Sequence, residues 1–155
     1  MNFSKTLAAA AGAAAMLLTP APALASGAND AENIRKLDIM LMVTSLRCRM
    51  GAHDFQPHYR KFSAAHLPTL NSAAKSLHSG LVRKHGSKGA KRALDRISVG
   101  MANQYGQGHP WLECHELKKI TSELAATRDP AHLKLAASEL LAPSPRNGGR
   151  FALGQ

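Results

Sequence analysis

The chain has 155 residues, which is enough for one domain but not for two. It carries 20 Lys and Arg against 10 Asp and Glu, a formal net charge of +10. An excess of this size attracts nucleic acid, anionic lipid or acidic polysaccharide without sequence specificity. Many exported bacterial proteins are also basic for solubility alone, so the charge by itself identifies no partner.

Residues 1–25 have the pattern of a secretory signal peptide. Lys5 provides a positive start, residues 7–18 form an apolar run interrupted by one glycine, and Ala23-Leu24-Ala25 is a small-residue cleavage pattern. The run is too short for a helix that crosses a bilayer, which needs about 20 residues. We therefore predict export to the periplasm or the exterior, with cleavage near Ala25 and no transmembrane segment in the mature chain.

The only two cysteines are Cys48 and Cys114. In an exported chain an even number of cysteines predicts a structural disulfide, and this one would stabilise the fold by about 4 kcal/mol in the chain-entropy model. A redox pair would normally be Cys-x-x-Cys, and haem attachment would need another cysteine three residues before Cys114.

Apolar residues recur with helical spacing along the chain, and no stretch alternates with a period of two. The first helix is predicted from Asn29 or Asp30, which are good N-cap residues, to about Arg49. Apolar side chains cover most of its surface, so we expect it to be the most buried helix. They are Ile34, Leu37, Ile39, Leu41, Met42, Val43 and Leu46.

The second helix is predicted to begin after Asp54 and to continue to a turn at Gly86 and Gly89. Pro68 interrupts it, since proline lacks the N–H of the helical ladder and crowds the preceding turn. The helix either kinks there or breaks in two. We favour a kink, because a full reversal would place the two cysteines at opposite poles of the bundle.

The third helix, from about Ser87 to Gln104, has one apolar face and one basic face. A glycine-rich loop follows, and Pro110 is predicted to open helix four. Asp129 caps a short fifth helix that runs to about Leu141. We predict an all-α fold: an up-down bundle of four main helices plus a short fifth over residues 26–141, stapled by the disulfide, with a disordered tail over 142–155.

Three stretches, residues 37–48, 54–71 and 89–114, together resemble a group of small exported helical proteins of unknown function from alphaproteobacteria. The third includes the run Met101-Ala102-Asn103-Gln104-Tyr105-Gly106-Gln107-Gly108-His109-Pro110-Trp111. The resemblance covers most of the mature chain. It implies export and an all-helical fold, and it implies no activity.

Such proteins sometimes carry the label adenosylhomocysteine hydrolase, which this sequence does not support. That family is several times longer and holds NAD on a strand–helix–strand unit with a Gly-x-Gly-x-x-Gly turn. Here Gly106 and Gly108 are followed by Trp111 where the third glycine is required, and no strand is predicted before them. The sequence predicts no cofactor.

The basic stretch of residues 83–96 holds six Lys or Arg and one acid, Asp95. It predicts an anion-binding face, although a merely solvated helix face has the same composition. Aromatic residues do not interleave with the charges, which disfavours a stacking platform for single-stranded nucleic acid. The candidate anion-binding residues are Lys88, Lys91, Arg92 and Arg96.

A second candidate site is the loop of residues 103–111, whose two glycines let backbone approach a ligand closely. Its candidate residues are Asn103, Gln104, Tyr105, His109 and Trp111. Glu113, Glu116 and His115 could add an acid/base group, although both glutamates also suit the N-terminus of helix four. The loop could equally be a structured connection in which Trp111 closes the core.

The eight histidines form no pair at helical spacing with a third ligand, so no metal site is predicted. His66 lies on an apolar stripe and is predicted to be a hydrogen-bonded core residue. The leading interpretation is an exported binding module that contacts an anionic surface or an envelope protein, with nucleic acid as another polyanion it could meet. The alternative is a small periplasmic enzyme, hydrolase-like, that uses the region from Tyr105 to His115.

Overall fold

The computed structural model describes residues 23–144, with side chains from residue 27 onward. Every regular element in this part of the chain is a helix, which confirms the predicted all-α class. Residues 1–22 of the predicted signal peptide (1–25) and residues 145–155 of the predicted tail (142–155) lie outside the described residues. Ala142, the first residue of the predicted tail, is buried. The helices are α1 (Ala23–Arg47), α2 (Gln56–Ala65), α3 (Leu67–Tyr105), α4 (Cys114–Ala126) and α5 (Pro130–Leu140).

Helix α1 is central, since it packs against all four other helices. Of the apolar residues predicted to cover it, four are buried: Ile34, Leu37, Ile39 and Leu41. Burial all around the helix is wrong, because Val43 is half-buried and Met42 and Leu46 are exposed. The predicted start at Asn29 or Asp30 is wrong, because α1 already begins at Ala23. Asp30 does not cap the helix and instead pairs with Lys134 of α5 at 3.0 Å. The fully buried residues of α1 are Leu37, Met40, Leu41 and Thr44.

The interruption predicted at Pro68 occurs two residues earlier. His66 separates α2 from α3 with φ −103° and ψ 9°, and Pro68 lies in the first turn of α3, where a missing N–H costs little. Backbone hydrogen bonds still bridge the joint, from His66 N to Phe62 O and from Leu70 N to His66 O. The two helices make few contacts with each other, which fits a bend at this point better than a reversal into an antiparallel pair.

Gly86 divides α3 into a first arm, residues 67–85, and a second arm, residues 87–105. Its φ of 66° and ψ of 170° belong to a region open almost only to glycine. Pro68 in the first arm and Gln104 in the second both line clefts against the N-terminal half of α1. A straight helix would hold those two residues about 54 Å apart. The chain therefore reverses at Gly86, where the sequence predicts a turn.

Helix α4 begins at Cys114, and its predicted start at Pro110 is wrong. The intervening residues pack instead: Leu112 is buried, and Glu113 caps α4 in a reciprocal pair with Glu116. The predicted cap of α5 is confirmed, because the Asp129 side chain accepts a hydrogen bond from the Ala131 N–H at 2.9 Å.

The predicted disulfide joins the end of α1 to the start of α4. The Cys48 and Cys114 Cα atoms lie 5.8 Å apart, with an S–S bond of 1.99 Å, which confirms the bridge. The up-and-down order of the four main helices stays a prediction. Among residues 23–144, no helix is both long and apolar enough to cross a membrane.

Candidate functional site

The basic face predicted on the second arm of α3 is solvent-accessible. Lys88, Lys91, Arg92 and Arg96 are all exposed, and none of them belongs to an ion pair within residues 27–144. The two arms of α3 form a helical hairpin whose tip is at Gly86. Two more exposed cations, Arg83 and Lys84, lie at this tip, close in the chain to Lys88. The ion pairs of the described chain involve other residues: Arg35 with Asp38, Lys36 with Glu32, Lys119 with Glu123, and Lys134 with Asp30.

The predicted loop site does not form one exposed cluster. Asn103, Gln104 and Tyr105 belong to the last turn of α3 and not to the loop. Asn103 and Gln104 are exposed, whereas only 1% of Tyr105 is accessible. The Tyr105 ring lies 5.4 Å from that of His109, centroid to centroid, so the aromatic residues face the core while the amides face solvent.

Two aromatic side chains fasten the glycine-rich loop to the end of α5. His109 Nε2 donates to the Leu140 carbonyl at 2.9 Å, and Trp111 Nε1 donates to the Ala142 carbonyl at 3.1 Å. Leu140 is the last residue of α5, so its carbonyl has no partner in the helical ladder. The two rings also meet edge to face, with centroids 4.7 Å apart. Both contacts fit a structured helix–helix connection.

Two residues of the predicted acid/base group, Glu113 and Glu116, have hydrogen-bond partners in the fold, whereas His115 is exposed. The Glu113 side chain accepts from the backbone of Glu116, and the Glu116 carboxylate accepts from Glu113 N at 2.8 Å. His109 Nδ1 accepts a long hydrogen bond from Trp111 N at 3.4 Å. The capping role that the sequence also allows for the two glutamates is confirmed.

We expect stability to fall below neutral pH because of His109. Burial lowers the pKa of this imidazole, while the Leu140 carbonyl and the Glu116 carboxylate act in the opposite direction. A lowered pKa means that the fold favours the neutral ring. The stabilising contribution is therefore complete above the unfolded-state pKa, about 6.5, and is lost as pH falls through the folded-state pKa. Thermal melts between pH 7.5 and 5.0 measure the loss.

The matched variant is H109Q, which retains an N–H donor but does not titrate in this range. We expect its melting temperature to fall less between pH 7.5 and 5.0 than that of the unsubstituted chain. Equal slopes in the two proteins would contradict a stabilising neutral His109.

One cleft brings together residues that the sequence assigned to separate sites. Arg96 of the basic face and Gln104 and Tyr105 of the predicted loop site all line it. Asn33 and Lys36 of α1 complete the polar part of the lining. Neither α1 residue could be predicted from the sequence, because both lie on a different helix from the other lining residues and no local pattern marks them.

A second group missed from the sequence links α1 to α2. The Tyr59 hydroxyl donates to Asp38 Oδ1 at 3.0 Å, and Arg35 Nη1 donates to Asp38 Oδ2 at 2.8 Å. Burial, followed by the neighbouring Asp38 carboxylate, raises the pKa of Tyr59. Because the phenol stays protonated and its O–H donates to a carboxylate on α1, this hydrogen bond links the two helices.

The structure regroups the histidines. His53 lies beside His115, next to the disulfide in the chain, with ring centroids 5.7 Å apart. Within residues 27–144, no three His, Cys, Asp or Glu side chains converge as metal ligands. His66 is buried and its Nε2 donates to the Leu124 carbonyl at 2.8 Å, which confirms the predicted core histidine.

The cleft beside Arg96 and the basic face are the surfaces that contain candidate residues predicted from the sequence. The chain matches no protein-family model, no curated protein and no solved structure, so any function must be argued from these residues.

Proposed function

We propose that the chain is an exported helical binding module that contacts an anionic partner through the second arm of α3. One observation carries the proposal: four exposed cations share this arm without ion-pair partners among the described residues. The disulfide supports export, because such bridges persist in oxidising compartments. The resemblance to small exported helical proteins and the predicted signal peptide point the same way.

The spacing of the cations lets them act together on an extended anion. Lys88, Lys91, Arg92 and Arg96 fall at positions i, i+3, i+4 and i+8, which lie close to one face of a helix. They extend over about 12 Å along the axis, and neighbouring cations are at most about 6 Å apart along it, less than the Debye length of about 8 Å at physiological salt. A row of phosphate, sulfate or carboxylate groups would therefore meet their combined field, and binding would weaken as salt rises.

The experiment uses a polyanion as the probe. The oxidised mature protein is loaded on a heparin column and eluted with a salt gradient, beside the variant K88Q/K91Q/R92Q/R96Q. We expect the unsubstituted protein to be retained and to elute at moderate salt, and the variant to pass through at low salt. The reason is the loss of four charge contacts, each of which contributes to the salt dependence of binding.

The control R49Q/R60Q/K61Q/R128Q loses the same four charges from other exposed positions. If the arm is the contact surface, the control elutes close to the unsubstituted protein although its net charge equals that of the test variant. Equal elution of the two variants would mean that net charge alone governs retention. That result would contradict the proposal.

The alternative is a small enzyme that uses the region from Tyr105 to His115. Its central residue, His109, is buried with both ring nitrogens near backbone partners, and its two glutamates cap α4. A general base needs a free nitrogen within reach of substrate. We therefore favour the binding module, and loss of a measured turnover in H109A with the fold intact would favour the enzyme.

A further inference from the structure

A cleft of about 540 Å³ follows the second arm of α3, between that arm, α1 and the end of α5. Its volume falls in the range of small-molecule sites, about 300–1,000 Å³. The apolar part of its lining comes from two places far apart in the chain, the second arm of α3 and the residue after α5. These apolar residues are Ala93, Ile97, Met101 and Leu141.

The cleft has one cation without an acidic partner. Lys36 lines it too, but its ammonium pairs with Glu32 at 2.6 Å. Arg96 belongs to no ion pair among residues 27–144, and its guanidinium can bind a carboxylate through two parallel hydrogen bonds. The charge balance of the cleft therefore suits an anion.

The Tyr105 hydroxyl is the second polar group that points to a ligand. Only 1% of the residue is accessible, and the hydroxyl makes no hydrogen bond within the described chain. Every fully buried side-chain oxygen or nitrogen in the described chain has a hydrogen-bond partner. Because the Tyr105 hydroxyl has none, it must be slightly exposed, and the surface that Tyr105 lines is the cleft. Burial raises the pKa of Tyr105, which keeps the hydroxyl protonated and able to donate.

Gly100 lies in the middle of the cleft wall. Its backbone is helical, so no unusual dihedral angle requires glycine there, and glycine inside a helix costs about 0.5–1 kcal/mol relative to alanine. A Cβ added at Gly100 would meet nothing within 4 Å. The missing side chain therefore leaves open space between Arg96 and Gln104, which are about 12 Å apart along the helix axis.

We propose that this cleft binds an amphipathic organic carboxylate, with its head group on Arg96 and its apolar body over Gly100 toward Tyr105. Asn33 and Gln104 offer amide groups along the rim for additional polar atoms of the ligand. The site is separate from the contact with a polyanion proposed above, although Arg96 belongs to both. Neither proposal depends on the other.

The test measures binding of decanoate, below its micelle concentration, to the oxidised mature protein by titration calorimetry. We expect saturable binding with one site, and binding of the uncharged decanamide at least about tenfold weaker, because the contact with Arg96 loses its charge. R96Q should weaken decanoate binding by about tenfold. Y105F should change it little, because the alkyl end of this probe lies toward Tyr105 and has no polar atom to bond to the hydroxyl.

The decisive variant is G100L, which fills the cleft and replaces glycine by a better helix former. We expect its melting temperature to be unchanged or higher while decanoate binding falls by at least about tenfold. Absence of saturable binding to the unsubstituted protein overturns the proposal, as does undiminished binding in G100L. Equal binding of decanoate and decanamide would overturn the assignment of an anion.

Two variants separate this proposal from the contact with a polyanion. K88Q/K91Q/R92Q removes three of the four cations of the basic face, so it should lose heparin retention. It leaves every residue of the cleft in place, so it should keep decanoate binding. G100L should lose decanoate binding and keep heparin retention. Heparin retention and decanoate binding therefore test the two proposals separately, and either proposal can fail while the other holds.

Discussion

Removing the disulfide with C48S/C114S is expected to lower the free energy of unfolding by about 4 kcal/mol. The bridge joins residues 66 apart in sequence, and breaking it returns conformational entropy to the unfolded chain. At roughly 4 °C per kcal/mol, the melting temperature should fall by about 15 °C. The measurement is thermal and urea unfolding followed by circular dichroism.

Reduction of the unsubstituted protein with dithiothreitol is the control, and it should reproduce most of the loss without a substitution. C48S/C114S itself should then be insensitive to the reductant. If the free energy of unfolding fell by less than about 1 kcal/mol, helix packing alone would hold the two helix ends together. That result would contradict the expectation that the disulfide stabilises the fold by restricting the unfolded chain.

The substitution H66A is expected to lower the free energy of unfolding by about 3 kcal/mol. His66 Nε2 donates to the Leu124 carbonyl near the end of α4, where the helical ladder supplies no partner. Without the ring, this buried carbonyl is left without a hydrogen bond, which costs about 1–3 kcal/mol, and the space beside Phe62 becomes a cavity. Urea unfolding measures the difference.

The matched control is H78A, because His78 is an exposed histidine inside α3. Its free energy of unfolding should change by no more than about 0.5 kcal/mol, as at other surface positions. A similar change in both variants would argue that the contact between His66 and Leu124 contributes little. A histidine at the joint between α2 and α3 would then have no energetic advantage over alanine.

Local signals in the sequence predicted the turn at Gly86 and the start of α5, and both are present. The start of α4 was misplaced for a physical reason. Proline is favoured in a first helical turn, so Pro110 resembles a helix start. In the fold Leu112 is buried and Trp111 bonds to Ala142, which keeps this segment out of the helix until the Glu113 cap.

The joint near Pro68 shows the same limit. The sequence indicates that a helix cannot pass this proline undisturbed, but it does not say where the disturbance falls. His66 takes the non-helical dihedral angles, and its ring reaches α4 from there. The position of the bend is therefore set together with a contact between residues 58 apart in sequence.

The candidate sites divide in the same way. The basic face of α3 could be predicted from the sequence, because side chains three and four residues apart share a helix face wherever the helix lies. The burial of Tyr105 and His109 could not be predicted, since it depends on which residues from other parts of the chain pack over them. The cleft was invisible for the same reason, as Asn33, Arg96 and Leu141 come from three different parts of the chain.

The sequence by itself thus determined the helical class, the cysteine pair and the charged face, which depend on spacing along one element or on composition. Tertiary structure alone decided that the predicted loop site splits into exposed amides and buried rings, and that Arg96 and Tyr105 line one cleft with α1. Such pairings follow from how helices dock, and docking is governed by the fit of side chains distant in the chain, which periodicity does not record.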